Sequence, residues 1–107
     1  MPDSQHLGSR ANAILLALSA GERHGYDIMR QVGQDSDGEL LLGPATLYTS
    51  LKRLLELGLI EETDLRQESA HEAQRRYYKL TASGRASLAA EAKRGERFAS
   101  IHHKRLA

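Results

Sequence analysis

The chain holds 107 residues, 40% hydrophobic and 27% charged, with no cysteine, which suits one domain with a modest core and excludes disulfides and thiolate metal or redox centres. Its formal charge of +1 conceals a split: residues 1–74 carry six Lys/Arg against twelve Asp/Glu, a balance of −6, and residues 75–107 nine against two, a balance of +7. No apolar run approaches the ~20 residues that cross a bilayer, and Met1-Pro2-Asp3-Ser4 lacks the basic-then-apolar layout of a secretory signal, so the expected compartment is the cytoplasm and no membrane partner is expected.

A first helix is expected from a cap at Asp3 or Ser4 to about Ser19, with Leu7, Ala11, Ile14, Leu15 and Leu18 on its apolar stripe. Ala20-Gly21-Glu22-Arg23 reads as a turn. A second helix follows over roughly 25–32, with Tyr26, Ile28, Met29 and Val32 as apolar positions. His24 just before it is either a plain cap or surface residue, or a partner for a phosphate at the helix N-terminus. Gln34-Asp35-Ser36-Asp37-Gly38 is a polar loop whose acids and glycine do not stand at calcium-loop offsets. Leu40-Leu41-Leu42 is a short apolar run, expected to form one small strand.

The third helix is the best defined. Pro44 suits a first helical position and Gly58 the left-handed residue that ends a helix. Leu47, Leu51, Leu54 and Gly58 fall on one stripe. Ala45, Thr46, Thr49, Lys52 and Arg53 lie away from it: small and hydroxyl-bearing at the start, cationic one turn later. Such a face can approach a base edge or a phosphate closely, and an ordinary amphipathic helix with a solvated face has the same pattern.

After Gly58 the period changes. The spacing predicts strands over 59–64 and 75–80, the second with aromatic residues at its centre and cations at intervals. The polar segment 65–74 lacks a tight-turn signature and reads as a long mobile tip. Thr81, with the hydroxyl of Ser83 in support, is expected to cap a fourth helix running to about Arg105. Its stripe of Leu88, Ala92, Phe98 or Ala99, Ile101 and Leu106 is broken and near a 3.5-residue period. A terminal helix this long has more apolar surface than a small domain covers, and a second copy of the chain or the first helix of the same chain can supply the cover.

Three helices, a two-stranded ribbon and a final helix are the order of a winged helix-turn-helix, mainly α with a small β-ribbon. The expected division is a winged helix-turn-helix DNA-binding domain over 1–81 and a C-terminal dimerisation helix over 82–107. On the ribbon, Tyr78 and Leu80 should face the core and Arg75 and Lys79 solvent or phosphate. Glu61, Glu62 and Asp64 oppose DNA on the first strand and are better suited to cross-strand pairing with the arginines.

At this point the residues carry a resemblance. Ala13-Ile14-Leu15-Leu16-Ala17-Leu18, His24-Gly25-Tyr26-Asp27-Ile28, Pro44-Ala45-Thr46-Leu47-Tyr48, Leu51-Lys52-Arg53-Leu54, Gly58-Leu59-Ile60 and Arg76-Tyr77-Tyr78-Lys79-Leu80-Thr81-Ala82-Ser83-Gly84 resemble the PadR family of bacterial transcriptional regulators. The similarity covers nearly the whole chain, and the length resembles the short subgroup with a single C-terminal helix. The resemblance implies a homodimer on operator DNA that usually represses and is released by a small-molecule effector, often aromatic or cationic. It puts Thr46, Tyr48 and Lys52 on the DNA-reading helix, Arg75, Arg76 and Lys79 on the wing, and the C-terminal helix at the dimer interface. Thr49 departs from the Pro that many members carry after the Tyr, and Leu55 from a Glu. The chain has no Trp, so a Trp-built aromatic drug sandwich is not supported.

The expected DNA contacts are thus Thr46, Tyr48, Thr49, Lys52, Arg53, Arg75, Arg76 and Lys79, and the expected dimer contacts Leu88, Ala92, Phe98 and Ile101. Thr46 and Thr49 suit phosphate or base edges without strong sequence preference. Lys52 and Arg53 suit phosphates, and Arg53 is the best single candidate for bidentate guanine contact. Tyr48 has two readings, a stack on backbone sugar with its hydroxyl on a phosphate, or a seal at the core edge. Catalysis is not expected: the five histidines form no two-His-plus-acid spacing, and no glycine-rich phosphate loop or nucleophile elbow is present. No cofactor or metal is expected. The rival to operator binding is a winged helix used for protein–protein contact, which the acidic first half favours.

Overall fold

A computed structural model describes residues 7–63 and 76–106, with side chains in the last helix as far as Arg97. The element order is α1 (Ser9–Leu18), β1 (Arg23–His24), α2 (Gly25–Asp35), α3 (Pro44–Glu56), β2 (Ile60–Thr63), β3 (Tyr77–Leu80) and α4 (Ala82–Leu106). The expected cap at Asp3 or Ser4, the strand end at Asp64, the segment 65–74 and Arg75 lie outside the described residues. No described helix is long and apolar enough to cross a membrane.

The core is one cluster in which α1 gives Ile14, Leu15, Ala17 and Leu18, α2 gives Ile28 and Val32, and α3 gives Leu47, Leu51 and Leu54. Ile60, Tyr78 and Leu80 close it from the sheet. Burying a side chain of this size stabilises by about 1.5–3 kcal/mol, so these stripes outweigh any single surface pair in fixing the fold.

Three expectations are corrected. α1 begins at Ser9, not near Ser4: its N-cap is Gly8, and the Asn12 amide donates to the Leu7 carbonyl at 3.1 Å. Leu7 is buried ahead of the helix. Leu40-Leu41-Leu42 forms no strand, because the Ser36 hydroxyl accepts the Leu40 N–H (3.0 Å) and Leu42 drops into the core while Leu41 stays exposed. The third strand is instead Arg23–His24, read from the sequence as turn, and it pairs antiparallel with β3 through Arg23↔Tyr78 and His24↔Tyr77. The ribbon is therefore a three-stranded sheet in the order β1-β3-β2.

The joints of the fold are local hydrogen bonds. α2 runs to Asp35 rather than Val32. α3 ends as its sequence foretells: Gly58 sits at φ +76°, its N–H donates to the Leu55 carbonyl, and the Leu59 N–H reaches back to Leu54. Thr81 ties that end to the last helix. Its hydroxyl donates to the Gly58 carbonyl at 2.7 Å and accepts the Gly84 N–H at 3.0 Å, so it caps α4 and anchors it to the end of α3 at once.

Candidate nucleic-acid interface

α3 turns its leucine stripe inward and leaves Ala45, Thr46, Tyr48, Thr49, Lys52 and Arg53 exposed. Two neighbouring surfaces flank that exposed side. On one, Ala45, Thr46, Thr49, Ser50 and Arg53 line an open cavity of about 790 Å3 with Arg10 and its neighbours at the start of α1. Sequence reading did not single out Arg10, which is only a charged residue on the outer side of a core helix. The fold brings it to the lining of the same cavity as Arg53.

On the other surface, Tyr48, Lys52 and Leu55 line a groove of about 270 Å3 with Glu62, Arg76 and Tyr78 of the sheet. Tyr48 and Arg76 also border a cleft of about 590 Å3 with His24, Gly25, Tyr26, Asp27 and Arg30. The ring of Tyr48 is therefore the ridge between two hollows. It is half exposed, and its hydroxyl has no hydrogen-bond partner among the described residues.

The ion pairs here are exposed and weak. Arg76 meets Glu62 at 3.2 Å, with 69% and 40% of the two side chains exposed, and Lys79 meets Glu61 at 3.6 Å. Such pairs typically contribute 0–1 kcal/mol, so a phosphate can take either cation from its carboxylate. Glu62 thus pairs across the strands with an arginine as expected, whereas Glu61 pairs with Lys79 rather than with an arginine. Lys79 is not in the Tyr48 groove: it alternates with buried Tyr78 and Leu80 and faces away from the core.

His24 caps α2, its Nδ1 accepting the Asp27 N–H at 3.3 Å, and its ring stands edge-on to Tyr77 with centroids 5.4 Å apart. Asp27 is held by Arg23 at 3.1 Å and Arg30 at 3.3 Å, while Arg23 Nε donates to the Ala17 carbonyl at 2.8 Å. These contacts tie the end of α1, β1 and the first turn of α2 to one another. Burial, aided by the nearby Glu62 and Tyr48, raises the Tyr78 phenol above its ordinary range, against an opposing effect of Arg76.

Of the remaining expected residues, Leu88 is half buried against its own chain's core and Ala92 is exposed. The side chains of Phe98 and Ile101 lie outside the described residues, as does Arg75.

Residues 14–90 match the Transcriptional regulator PadR-like family; no curated protein matches the chain. A PadR family transcription regulator from Clostridium difficile R20291 is 26% identical, with a TM-score of 0.78 over 94% of this chain and 100% of its own. A PadR-like transcription factor from Bacteroides fragilis is 28% identical, with a TM-score of 0.69 over 88% of this chain and 87% of its own. Bacillus subtilis PadR, solved in complex with operator DNA, is 27% identical at a TM-score of 0.69; the match covers 79% of this chain and 47% of the Bacillus chain. With helices, sheet and final helix in winged-helix order and the match running from within α1 into the start of α4, the chain belongs to the PadR-like family of transcriptional regulators.

Proposed function

We propose that the chain binds a pseudo-palindromic operator as a homodimer, represses transcription there in the cytoplasm, and is released by a small-molecule effector. The observation that carries DNA binding is the exposed side of α3. Hydroxyls and cations stand clear of the body there, with Arg10 beside one edge and Arg76 beside the other. A major groove about 12 Å wide admits a helix in this presentation. The operator-bound Bacillus protein supports the same reading.

In this reading Thr46, Thr49 and Arg53 approach base edges. Tyr48, Lys52 and Arg76 hold one backbone strand, and Arg75 and Lys79 reach the flanking phosphates. Residues 1–81 do the binding. Residues 82–107 pair two copies through Ala92, Phe98 and Ile101, with Leu88 at the inner edge of that surface. A dimer of this kind spaces its half-sites about one helical turn apart.

Selection of the full-length protein on random duplex tests the proposal. An enriched inverted repeat with that spacing is expected. Recovery of no enriched repeat at low salt overturns it, and leaves a protein–protein role for the winged helix.

A further inference from the structure

Gly25, the first residue of α2, is buried beneath the ring of Tyr48. A Cβ on Gly25 would lie 2.3 Å from the Tyr48 hydroxyl oxygen, 3.0 Å from Cζ and 3.3 Å from a Leu47 methyl. The backbone does not demand glycine here, since Gly25 is not among the residues with positive φ. What demands it is the ring. We infer that Gly25 is a positioning residue for the DNA-facing surface: its missing side chain lets Tyr48 lie across the start of α2. That pose sets where the phenol hydroxyl and its neighbours Lys52 and Arg76 meet the nucleic-acid backbone.

The direction of the effect follows from what can yield. The start of α2 is fixed by the His24 cap and by Asp27 between Arg23 and Arg30. The Tyr48 ring is half exposed, and no hydrogen bond holds its hydroxyl among the described residues. An added methyl therefore turns the ring outward and leaves α2 in place. The turned ring stands in the path of the backbone that Lys52 and Arg76 are placed to hold. The buried Leu47 methyl has to give by only a few tenths of an ångström, so binding falls while Tm changes little.

This inference rests on the reading of α3 as the DNA-reading helix, and the experiment separates the two. Full-length wild type, Gly25→Ala, Tyr48→Ala and the double variant are titrated against the duplex enriched from the random pool. Gly25→Ala is expected to weaken binding about tenfold, the scale of one lost contact to a charged group. It should cost nothing further once Tyr48 is already Ala. Wild-type affinity for Gly25→Ala, or losses that simply multiply in the double variant, overturns the inference. If Gly25→Ala does not fold, recovery of folding in the double variant upholds the clash with the ring, and continued misfolding refutes it. If wild type binds no duplex, the DNA reading fails by itself. The NMR signals of a 13C-labelled Tyr48 ring in Gly25→Ala then decide the positioning claim, which an unmoved ring overturns.

Discussion

Lys52 stands one turn beyond Tyr48 in the groove that also holds Glu62 and Arg76. Its ammonium is a compact point charge on a flexible stem, suited to a phosphate rather than to a base edge. Lys52→Ala is therefore expected to weaken binding on every duplex tested. In a dimer it removes two phosphate contacts, so the slope of log K against log salt should flatten by roughly 2. Fluorescence anisotropy at four salt concentrations, on the operator and on a scrambled duplex, measures both quantities. A loss confined to one base position would instead make Lys52 a base reader. Arg53 sits on the other flank, in the lining of the same cavity as Arg10. Its planar fork can take both acceptors of a guanine, and a change confined to one operator position belongs to it.

At the scale of elements, the joint between the end of α3 and the start of α4 is closely packed. A Cβ on Gly84 would lie 2.0 Å from the Leu59 carbonyl oxygen and 3.0 Å from its carbon. That neighbour is backbone, held by the Thr81 N–H at 3.1 Å, and cannot turn aside as the Tyr48 ring can. Gly84→Ala is expected to destabilise by at least about 2 kcal/mol, roughly 10 °C in Tm for a domain of this size. Thermal unfolding by circular dichroism reads it, and an unchanged Tm would mean that the joint opens at little cost. Local chemistry made much of this architecture legible. Pro44, the leucine stripe and Gly58 mark α3 without knowledge of any other element. Thr81 marks the start of α4, and the alternation of Tyr78 and Leu80 marks the inner face of β3. What the sequence hides depends on distant partners. Arg23–His24 is a strand only because Tyr77 and Tyr78 lie alongside, more than fifty residues later. The Leu40–Leu42 run has strand composition, yet no strand pairs with it and Ser36 takes its first N–H. The site divides the same way. The exposed face of Thr46, Thr49, Lys52 and Arg53 is readable from helical period alone, whereas Tyr48 enters through the family resemblance. Arg10 in one cavity lining with Arg53, and Gly25 beneath Tyr48, are products of how α1 and α2 pack on α3.

At the scale of the whole molecule, the proposed dimer requires two copies of α3 to face one operator. α4 has 25 residues and so extends about 37 Å. Its first turns are fastened to the end of α3 through Thr81 and Gly84, and Leu88 rests on the core. From Ala92 to Arg97 every described side chain is exposed. The boundary at residue 81 thus divides two proposed roles rather than two folding units. Any rotation of α4 in a dimer is passed directly to the end of the reading helix, which is how pairing would set half-site spacing. If residues 82–107 pair two copies, Ala92→Asp puts a charged, strongly hydrated carboxylate into the contact. The expected outcome is dissociation at least about tenfold weaker in sedimentation equilibrium. Tm extrapolated to low protein concentration should not change, because Ala92 is exposed within its own chain. Operator binding should fall with the dimer and recover at high protein concentration. An Ala92→Asp protein that sediments as wild type would remove this surface from the interface and leave the two reading helices to be paired elsewhere.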